Sequence, residues 1–363
     1  MYKTPGVYVE EITTFPSSVV PISTAIPAFI GYTKLGGGDN RPLDHKATRI
    51  QSLLEYERLF GKSDNQSLVI TLQDEIPIEV RLGTNPSPYL MYYQLLMYFL
   101  NGGGPCYIIS VDSYSRSISK DDLDASTSTS GLAIAQKEDE ITLLVFPDAP
   151  ALSDADYYSL YQDALTQCAD LKDRFTIIDV KVPVEAVDSL TPMTVLRSAI
   201  GSHNLNYAAA YYPNLKTTLS YQYDSNELTH ITFRRGGVEV DVGALRSNTQ
   251  FTAALEKLIA NFSVTLSPCG SIAGVYAQVD RTRGVFKAPA NLSLNSVIAP
   301  TVKISDQDQQ DLNEHTSGKS INAIRSFAGK GVLVWGARTL EGNSSEWRYI
   351  SVRRFFIFVE ESI

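Results

Sequence analysis

Four short runs of apolar residues, each bounded by turn-forming residues, constrain the fold of this chain more than any other feature. The runs are Cys106–Val111, Ile141–Phe146, Phe175–Val180 and Tyr207–Tyr212. A strand with one solvent-exposed face alternates apolar and polar residues, whereas these runs are apolar on both faces. They are therefore predicted to be central strands of a covered, mostly parallel sheet.

The segments around these strands have helical patterns. Ser153 and Asp156 form a capping-box start, and Thr191-Pro192 places proline at the first helical position. Pro88–Leu100 is apolar nearly all round, which indicates a buried helix. A further helix with one apolar stripe is predicted to begin near Asn248. The alternation of strands and helices predicts an α/β fold in which helices cover a mostly parallel sheet.

Two stretches depart from this alternation. Residues 229–242 alternate apolar and polar residues on both sides of Gly236-Gly237, which predicts a hairpin excursion from the core near 220–245. Residues 115–136 are rich in Ser, Thr and Asp, and we expect a solvated loop with at most a short helix.

From residue 304 onward the character of the chain changes. Asp306–His315 is polar and of uncertain state, and strand-like runs follow at Ile321–Phe327 and Val332–Ala337. The last segment, Arg348–Ile363, has the spacing of an amphipathic helix. Its apolar residues form a stripe, which is expected to be exposed and sticky: Val352, Phe355, Phe356, Val359 and Ile363.

The N-terminal segment is predicted to be extended. After the turn at Pro5-Gly6, the residues Val7, Tyr8, Val9 and Glu10 alternate as in a strand with one buried face. Prolines at positions 16, 21 and 27 then exclude a continuous helix. Such a short strand needs a sheet edge to join, and the residues alone leave two possibilities open: its own domain or a neighbouring subunit.

Composition excludes several classes of partner. The net charge is −9, and without a basic stripe a nucleic-acid partner is not expected. Arg234-Arg235 and Arg353-Arg354 are more consistent with local ion pairs than with a binding patch. The three cysteines are far apart, which predicts reduced thiols in a protein made in the cytosol. Neither a signal peptide nor a membrane-inserted segment is predicted.

The strongest enzyme-like signal is a set of aspartates near the carboxyl ends of the predicted strands. Asp112, Asp148 and Asp179 occupy the edge of the sheet where open α/β folds bind ligands, so they could hold a metal or act as a base. Aspartate is equally suited to capping the helices that begin at the same edge. The first interpretation predicts an α/β hydrolase-like or metal-dependent enzyme, and the second predicts no catalytic, cofactor or metal site.

Other catalytic motifs are not supported. The four histidines do not lie in a recognisable triad context, and Gly-x-Ser-x-Gly is absent from the sequence. Gly318-Lys-Ser320 resembles the end of a phosphate-binding loop, but the glycine that the motif requires is replaced by Asn313. We interpret this segment as a turn, and no cofactor is expected.

Several separated segments resemble contractile tail sheath proteins, which occur in contractile-tailed phages, R-type pyocins and extracellular contractile injection systems. The segments are Tyr2–Glu11, Ala25–Tyr32, Asn101–Cys106, Val279–Gly284, Lys287–Asn291, Gly318–Asn322 and Val334–Leu340. They span the chain in order, and the likeness is strongest to the compact sheaths of phage-like injection particles.

The resemblance implies a structural, non-enzymatic subunit that forms a helical homo-oligomer around an inner tube protein and contracts to drive that tube through a target envelope. It implies baseplate and tail terminator proteins as partners, assembly in the bacterial cytoplasm, and a final place in a virion tail or extracellular particle. The expected domains are an N-terminal inter-subunit arm (1–22), an α/β core with subtilisin-like sheath topology (23–303) and a partial α+β C-terminal domain (304–363). Related sheaths continue further, so we expect either a shortened chain or an unusually short member.

Overall fold

The computed structural model describes residues 24–36, 43–182, 191–223 and 231–362. The strands among these residues are β1 (Pro27–Thr33), β2 (Ala47–Ile50), β3 (Leu68–Gln73), β4 (Ile76–Leu82), β5 (Cys106–Ser113), β6 (Leu143–Val145), β7 (Phe175–Asp179), β8 (Ala208–Tyr212), β9 (Leu215–Ser220), β10 (Ile231–Arg235), β11 (Val238–Glu239), β12 (Ser263–Leu266), β13 (Leu292–Ser293), β14 (Val297–Pro300), β15 (Ile321–Phe327) and β16 (Gly331–Val334). The helices are α1 (Leu53–Phe60), α2 (Met91–Leu100), α3 (Lys120–Leu123), α4 (Gly131–Ala135), α5 (Asp154–Leu171), α6 (Thr191–Ala199), α7 (Thr249–Ala260), α8 (Cys269–Arg283), α9 (Asp306–Asn313) and α10 (Ile350–Ser362).

A nine-stranded sheet forms the centre of the described structure, in the order β13-β16-β15-β8-β7-β6-β1-β5-β2. The pairs from β15 to β5 are parallel, and antiparallel strands lie at both ends. All four strands predicted from apolar runs belong to the parallel part, where β5 to β8 are almost entirely buried. The prediction of a mixed α/β fold with a mostly parallel sheet is confirmed.

Helices cover the sheet on both faces. Adjacent residues of β1 point to opposite faces of the sheet, so the neighbours of Ile30 and Gly31 identify the helix on each face. A Cβ added to Gly31 would lie 3.0 Å from Met91 of α2, whereas one added to Gly131 of α4 would collide with Ile30. One layer therefore contains α2, which packs along α8, and the other contains α4, together with the α3 and α5 helices that contact one another. The hydrophobic core lies on both sides of the sheet.

The helix starts follow the sequence signals. Ser153 accepts a hydrogen bond from the Asp156 N–H at the start of α5, and Asn248 accepts one from the Gln250 N–H at the start of α7. The polar stretch after residue 304 forms α9, which begins with a capping box between Ser305 and Asp308. These polar side chains satisfy amides that the first helical turn leaves free.

A second, smaller sheet has the order β11-β10-β3-β4 and its own apolar cluster. The predicted hairpin is present, since β10 and β11 pair antiparallel with Arg234 opposite Glu239. Its partner is β3, which pairs with β10 in parallel although it lies far away in the sequence. Helix α7 packs on β4, and the buried side chains of Phe233 and Phe251 contact one another.

One expectation differs from the structure, and another is not tested by it. The prediction of a solvated loop at 115–136 is wrong in part, because α3 and α4 form there and fully bury Leu123 and Leu132 beneath a polar surface. Strand β15 pairs with β8, so strands on both sides of the expected boundary at 303/304 share one sheet. The expected domain division remains a prediction, and residues 1–23 and 363 lie outside the described residues.

Candidate functional site

The carboxyl ends of the parallel strands are the first candidate site. Asp148 follows β6 and is 1% exposed. Its carboxylate accepts hydrogen bonds from the N–H groups of Tyr32 at 2.8 Å, Leu90 at 2.6 Å and Met91 at 3.2 Å. Burial raises the pKa of Asp148 to about 6, and the three N–H donors oppose that rise. Asp148 therefore fastens the start of α2 to β1.

Asp179 is the last residue of β7 and has equivalent burial but different contacts. Its backbone carbonyl oxygen accepts a hydrogen bond of 2.6 Å from the Tyr157 hydroxyl. Neither carboxylate oxygen has a hydrogen-bond partner of standard geometry among the described residues, although Ser267 and Cys269 face them at the start of α8. Burial raises the pKa of Asp179 to about 6, against the lowering effect of these neighbours.

Asp112 lies near the end of β5 and is half-buried. One carboxylate oxygen accepts from the Ser113 N–H at 2.6 Å, and the other lies 3.2 Å from Arg116 Nη1. Arg116 also pairs with Asp122 at 2.9 Å. These contacts are those of an aspartate that stabilises the turn after a strand.

The three aspartates thus contact different elements: Asp148 contacts α2, Asp179 faces α8, and Asp112 pairs within its own turn. Across the described ranges no group of three or more His, Cys, Asp or Glu side chains could hold a metal ion. The contacts of Asp148 with the first amides of α2 agree with the capping interpretation for that residue, and the role of the three aspartates as a set remains a prediction.

The other sequence motifs have structural contacts. Lys319 of the Gly-Lys-Ser segment donates a hydrogen bond to the carbonyl oxygen of Arg197 near the end of α6, and burial lowers its pKa. His45 Nδ1 lies 3.0 Å from the Thr129 carbonyl oxygen, and His315 Nδ1 lies 2.8 Å from Ser317 Oγ. Cys106, Cys168 and Cys269 are buried free thiols, as predicted.

Sequence reasoning missed the close packing of α2 against α8. The Gln94 side chain donates to the Ser267 carbonyl oxygen at 2.9 Å and accepts from the Gly270 N–H at 3.0 Å. A Cβ added to Gly274 would lie 2.5 Å from the Tyr98 carbonyl oxygen, so the helices meet where α8 lacks side chains. The small residues of α8 were the signal available in the sequence.

The C-terminal helix α10 is the second candidate site. Ile350 and Ile357 are buried on the side that faces the core. Arg353 and Arg354 are also buried, and they pair with Glu360 at 3.3 Å and Asp280 at 2.6 Å, as expected for local ion-pair partners.

The predicted apolar stripe includes the most exposed apolar residues of α10. Phe355 and Phe356 are 39% and 45% exposed, and Val352 and Val359 are half-buried. Phe356 also meets the Trp347 ring edge-on, with ring centroids 5.3 Å apart. Ile363 lies outside the described residues, as do Val7, Tyr8, Val9 and Glu10.

The described helices include none that combines the length and apolar character needed to cross a membrane.

Comparison with known proteins relates this fold to one class of assembly. No protein-family model and no curated protein matches the chain. Among solved structures, the chain is similar to the PVC sheath complex of an extracellular contractile injection system in the contracted state, with 26% identity, a TM-score of 0.58, and coverage of 100% of this chain and 73% of that chain. It is also similar to the helical sheath of the anti-feeding prophage in the contracted state, with 28% identity, a TM-score of 0.58, and coverage of 100% and 75%.

A third similar structure is the contracted baseplate of the anti-feeding prophage, with 25% identity, a TM-score of 0.63, and coverage of 99% of this chain and 76% of that chain. The fold of this chain is therefore similar to the folds of proteins from contractile sheath and baseplate assemblies. The resemblance to contractile tail sheath proteins that the sequence segments predicted is confirmed.

Proposed function

We propose that this chain is a structural subunit of a contractile sheath that polymerises helically around an inner tube. The observation that carries the proposal is the similarity of the whole chain to two sheaths solved in the contracted state. A local likeness would support only a shared domain, whereas a match over 100% of this chain covers both the nine-stranded sheet and the small sheet. The subunit assembles in the bacterial cytoplasm and ends in a virion tail or an extracellular particle.

The work of the subunit is mechanical. Copies are stored in an extended packing and re-pack into a shorter, wider one, which drives the tube through a target envelope. The inner tube, the baseplate and a tail terminator protein are the remaining partners. The buried aspartates Asp148 and Asp179 support a non-enzymatic role, because they lie beneath the starts of two helices and are closed to substrate.

Contacts between copies must survive the change in packing. We assign this role to the N-terminal arm (1–22), whose residues Val7 to Glu10 add a strand to a sheet of a neighbouring copy. The core at 23–303 and the C-terminal domain at 304–363 form the body that moves. Helix α10 contributes an exposed apolar stripe for a further contact with another part of the assembly.

Electron microscopy of this chain produced together with its tube protein tests the assembly. Striated tubes are the expected product, and a compact monomer that binds a divalent metal tightly would contradict the proposal. Val7→Pro and Val9→Pro should abolish ordered sheath because proline removes a ladder donor from the added strand.

The isolated Val7→Pro subunit should keep the thermal unfolding midpoint of the unmodified protein. Ser17→Pro, placed in the proline-rich stretch after the strand, is the matched control and should still assemble. If Val7→Pro lowered the unfolding midpoint of the monomer, the strand would belong to the subunit's own domain.

A further inference from the structure

A buried ion pair joins three segments of the chain that are distant in sequence. Arg354 of α10 makes two contacts with the Asp280 carboxylate of α8, at 3.1 and 2.6 Å. The same arginine donates to the carbonyl oxygen of Thr24 at 2.6 Å, and the Thr24 hydroxyl donates to Asp280 at 2.6 Å. Each of the three residues therefore contacts the other two.

The ion pair is shielded from solvent. The Arg354 and Asp280 side chains are 3% and 6% exposed. The guanidinium also lies over the Tyr276 ring, 4.6 Å from its centroid, and the Tyr276 hydroxyl is 2.8 Å from the hydroxyl of Tyr211 in β8. Removing one partner from such a site leaves the other charge buried and uncompensated. The free-energy cost of burying each charged group therefore depends strongly on the presence of the other.

The ion pair lies where two distant segments of the chain are attached to α8. Thr24 lies just before the central strand β1, and the chain between them is held by the Ile26 N–H, which donates to Thr142 Oγ1 at 2.8 Å. Arg354 lies in the first half of α10, between the buried residues Ile350 and Ile357. The carboxylate of Asp280 is thus the point where the entry to β1 and the C-terminal helix are attached to the same helix.

We propose that Asp280 and Arg354 form a coupling anchor, through which a displacement of the chain at Thr24 is transmitted to α10 and the reverse. The biological role of this anchor rests on the proposed function. A force on an arm that precedes Thr24 would act on the same ion pair that holds α10. Coupling through a shared contact is reciprocal, so loosening either segment loosens the other.

Hydrogen–deuterium exchange on the isolated subunit tests the anchor without any assembly. Thr24→Val keeps the side-chain shape but removes the hydroxyl donor, and it should raise amide exchange in α10 by about fivefold or more. Arg354→Met should in turn raise exchange at Ala25 and Ile26 by a similar factor. Arg325→Met removes an ion pair with the 93% exposed Asp306 and should change neither segment.

An increase confined to residues 25–26 in Thr24→Val would overturn the anchor, as would an Arg354→Met variant that frays α10 and leaves Ala25 and Ile26 protected. Circular dichroism of each variant checks that the fold persists; if Arg354→Met does not fold, Thr24→Val with Asp280→Asn supplies the same comparison. Failure of the unmodified chain to form sheath with tube protein would refute the proposed function and leave the anchor standing, so the two results are separable.

Discussion

Asp148→Asn should be less stable than Asp179→Asn, although both carboxylates are buried at the ends of neighbouring parallel strands and burial raises the pKa of both to about 6. Asp148 accepts three backbone hydrogen bonds, and Asp179 accepts none of standard geometry on its carboxylate. Asparagine has almost the same shape but one acceptor oxygen and no charge. The pair of substitutions therefore separates the value of hydrogen bonds from the free-energy cost of burying a charge.

The magnitudes follow from these contacts. Asp148→Asn directs an amide group at N–H donors and leaves at least one of them unpaired, which costs about 1–3 kcal/mol relative to Asp179→Asn. For Asp179, a pKa of about 6 in the folded protein exceeds the ordinary value of 3.8. This difference means that the folded state disfavours the charged carboxylate by about 3 kcal/mol above pH 6. Asp179→Asn removes that penalty and should stabilise the protein at pH 7.5.

The pH dependence has a defined sign. Because the folded state holds the Asp179 proton more tightly than the unfolded chain, the contribution of Asp179 to stability falls as the pH rises from about 4 to about 6. Asp179→Asn lacks this loss, so its advantage should grow by about 2 kcal/mol between pH 4.5 and pH 7.5. Urea unfolding followed by tryptophan fluorescence at pH 4.5, 6.0 and 7.5 measures the difference.

A pH-independent difference between Asp179→Asn and the unmodified protein would refute the reasoning for that residue. A destabilised Asp179→Asn at every pH would mean that Ser267 and Cys269 hold the carboxylate by hydrogen bonds that asparagine cannot replace. For Asp148, an Asp148→Asn variant as stable as Asp179→Asn would show that the start of α2 does not depend on its carboxylate.

Three further predictions concern packing and surface contacts. Gly274→Ala should destabilise the protein by about 1–3 kcal/mol in urea unfolding, because its Cβ would lie 2.5 Å from the Tyr98 carbonyl oxygen. Gly104→Ala is the control, because the atom nearest to its Cβ would be 3.9 Å away. Phe355→Ser combined with Phe356→Ser should reduce self-association in sedimentation velocity with little change in unfolding midpoint, and unchanged association would exclude the stripe as a contact. Leu123→Ala should cost about 2–5 kcal/mol because this side chain is fully buried, whereas a solvated loop would tolerate the change within 0.5 kcal/mol.

The sequence was sufficient where one local signal determines the outcome. A run such as Phe175–Val180 is apolar on both faces, and only a sheet covered on both sides satisfies it. The Ser153 cap fixes the start of α5 through contacts within one turn. By contrast, β1 lies between β5 and β6 in the sheet, and its place there depends on crossovers that no local pattern encodes.

The candidate site was predictable in residue type and only partly in role. Aspartates at strand ends were identified together with their capping interpretation, yet the helix that Asp148 supports begins 57 residues earlier in the chain. The pairing of β3 with β10 and the contact of Arg354 with Thr24 have the same origin, since both join distant segments through tertiary packing. A sequence pattern shows which groups need a partner and leaves the partner undetermined.

The polar groups at the strand ends explain how an α/β sheet can serve a mechanical role. In open α/β folds this edge is the usual ligand site, because helix starts and strand ends leave unpaired donors and acceptors there. Here Asp148 pairs with the amides at the start of α2, while Gln94 ties α2 to the start of α8. These contacts join the helix layer to the sheet and the two helices to each other. A subunit proposed to move between two packings needs such internal contacts, because the energy released by re-packing is transmitted to neighbours only if the body itself does not deform.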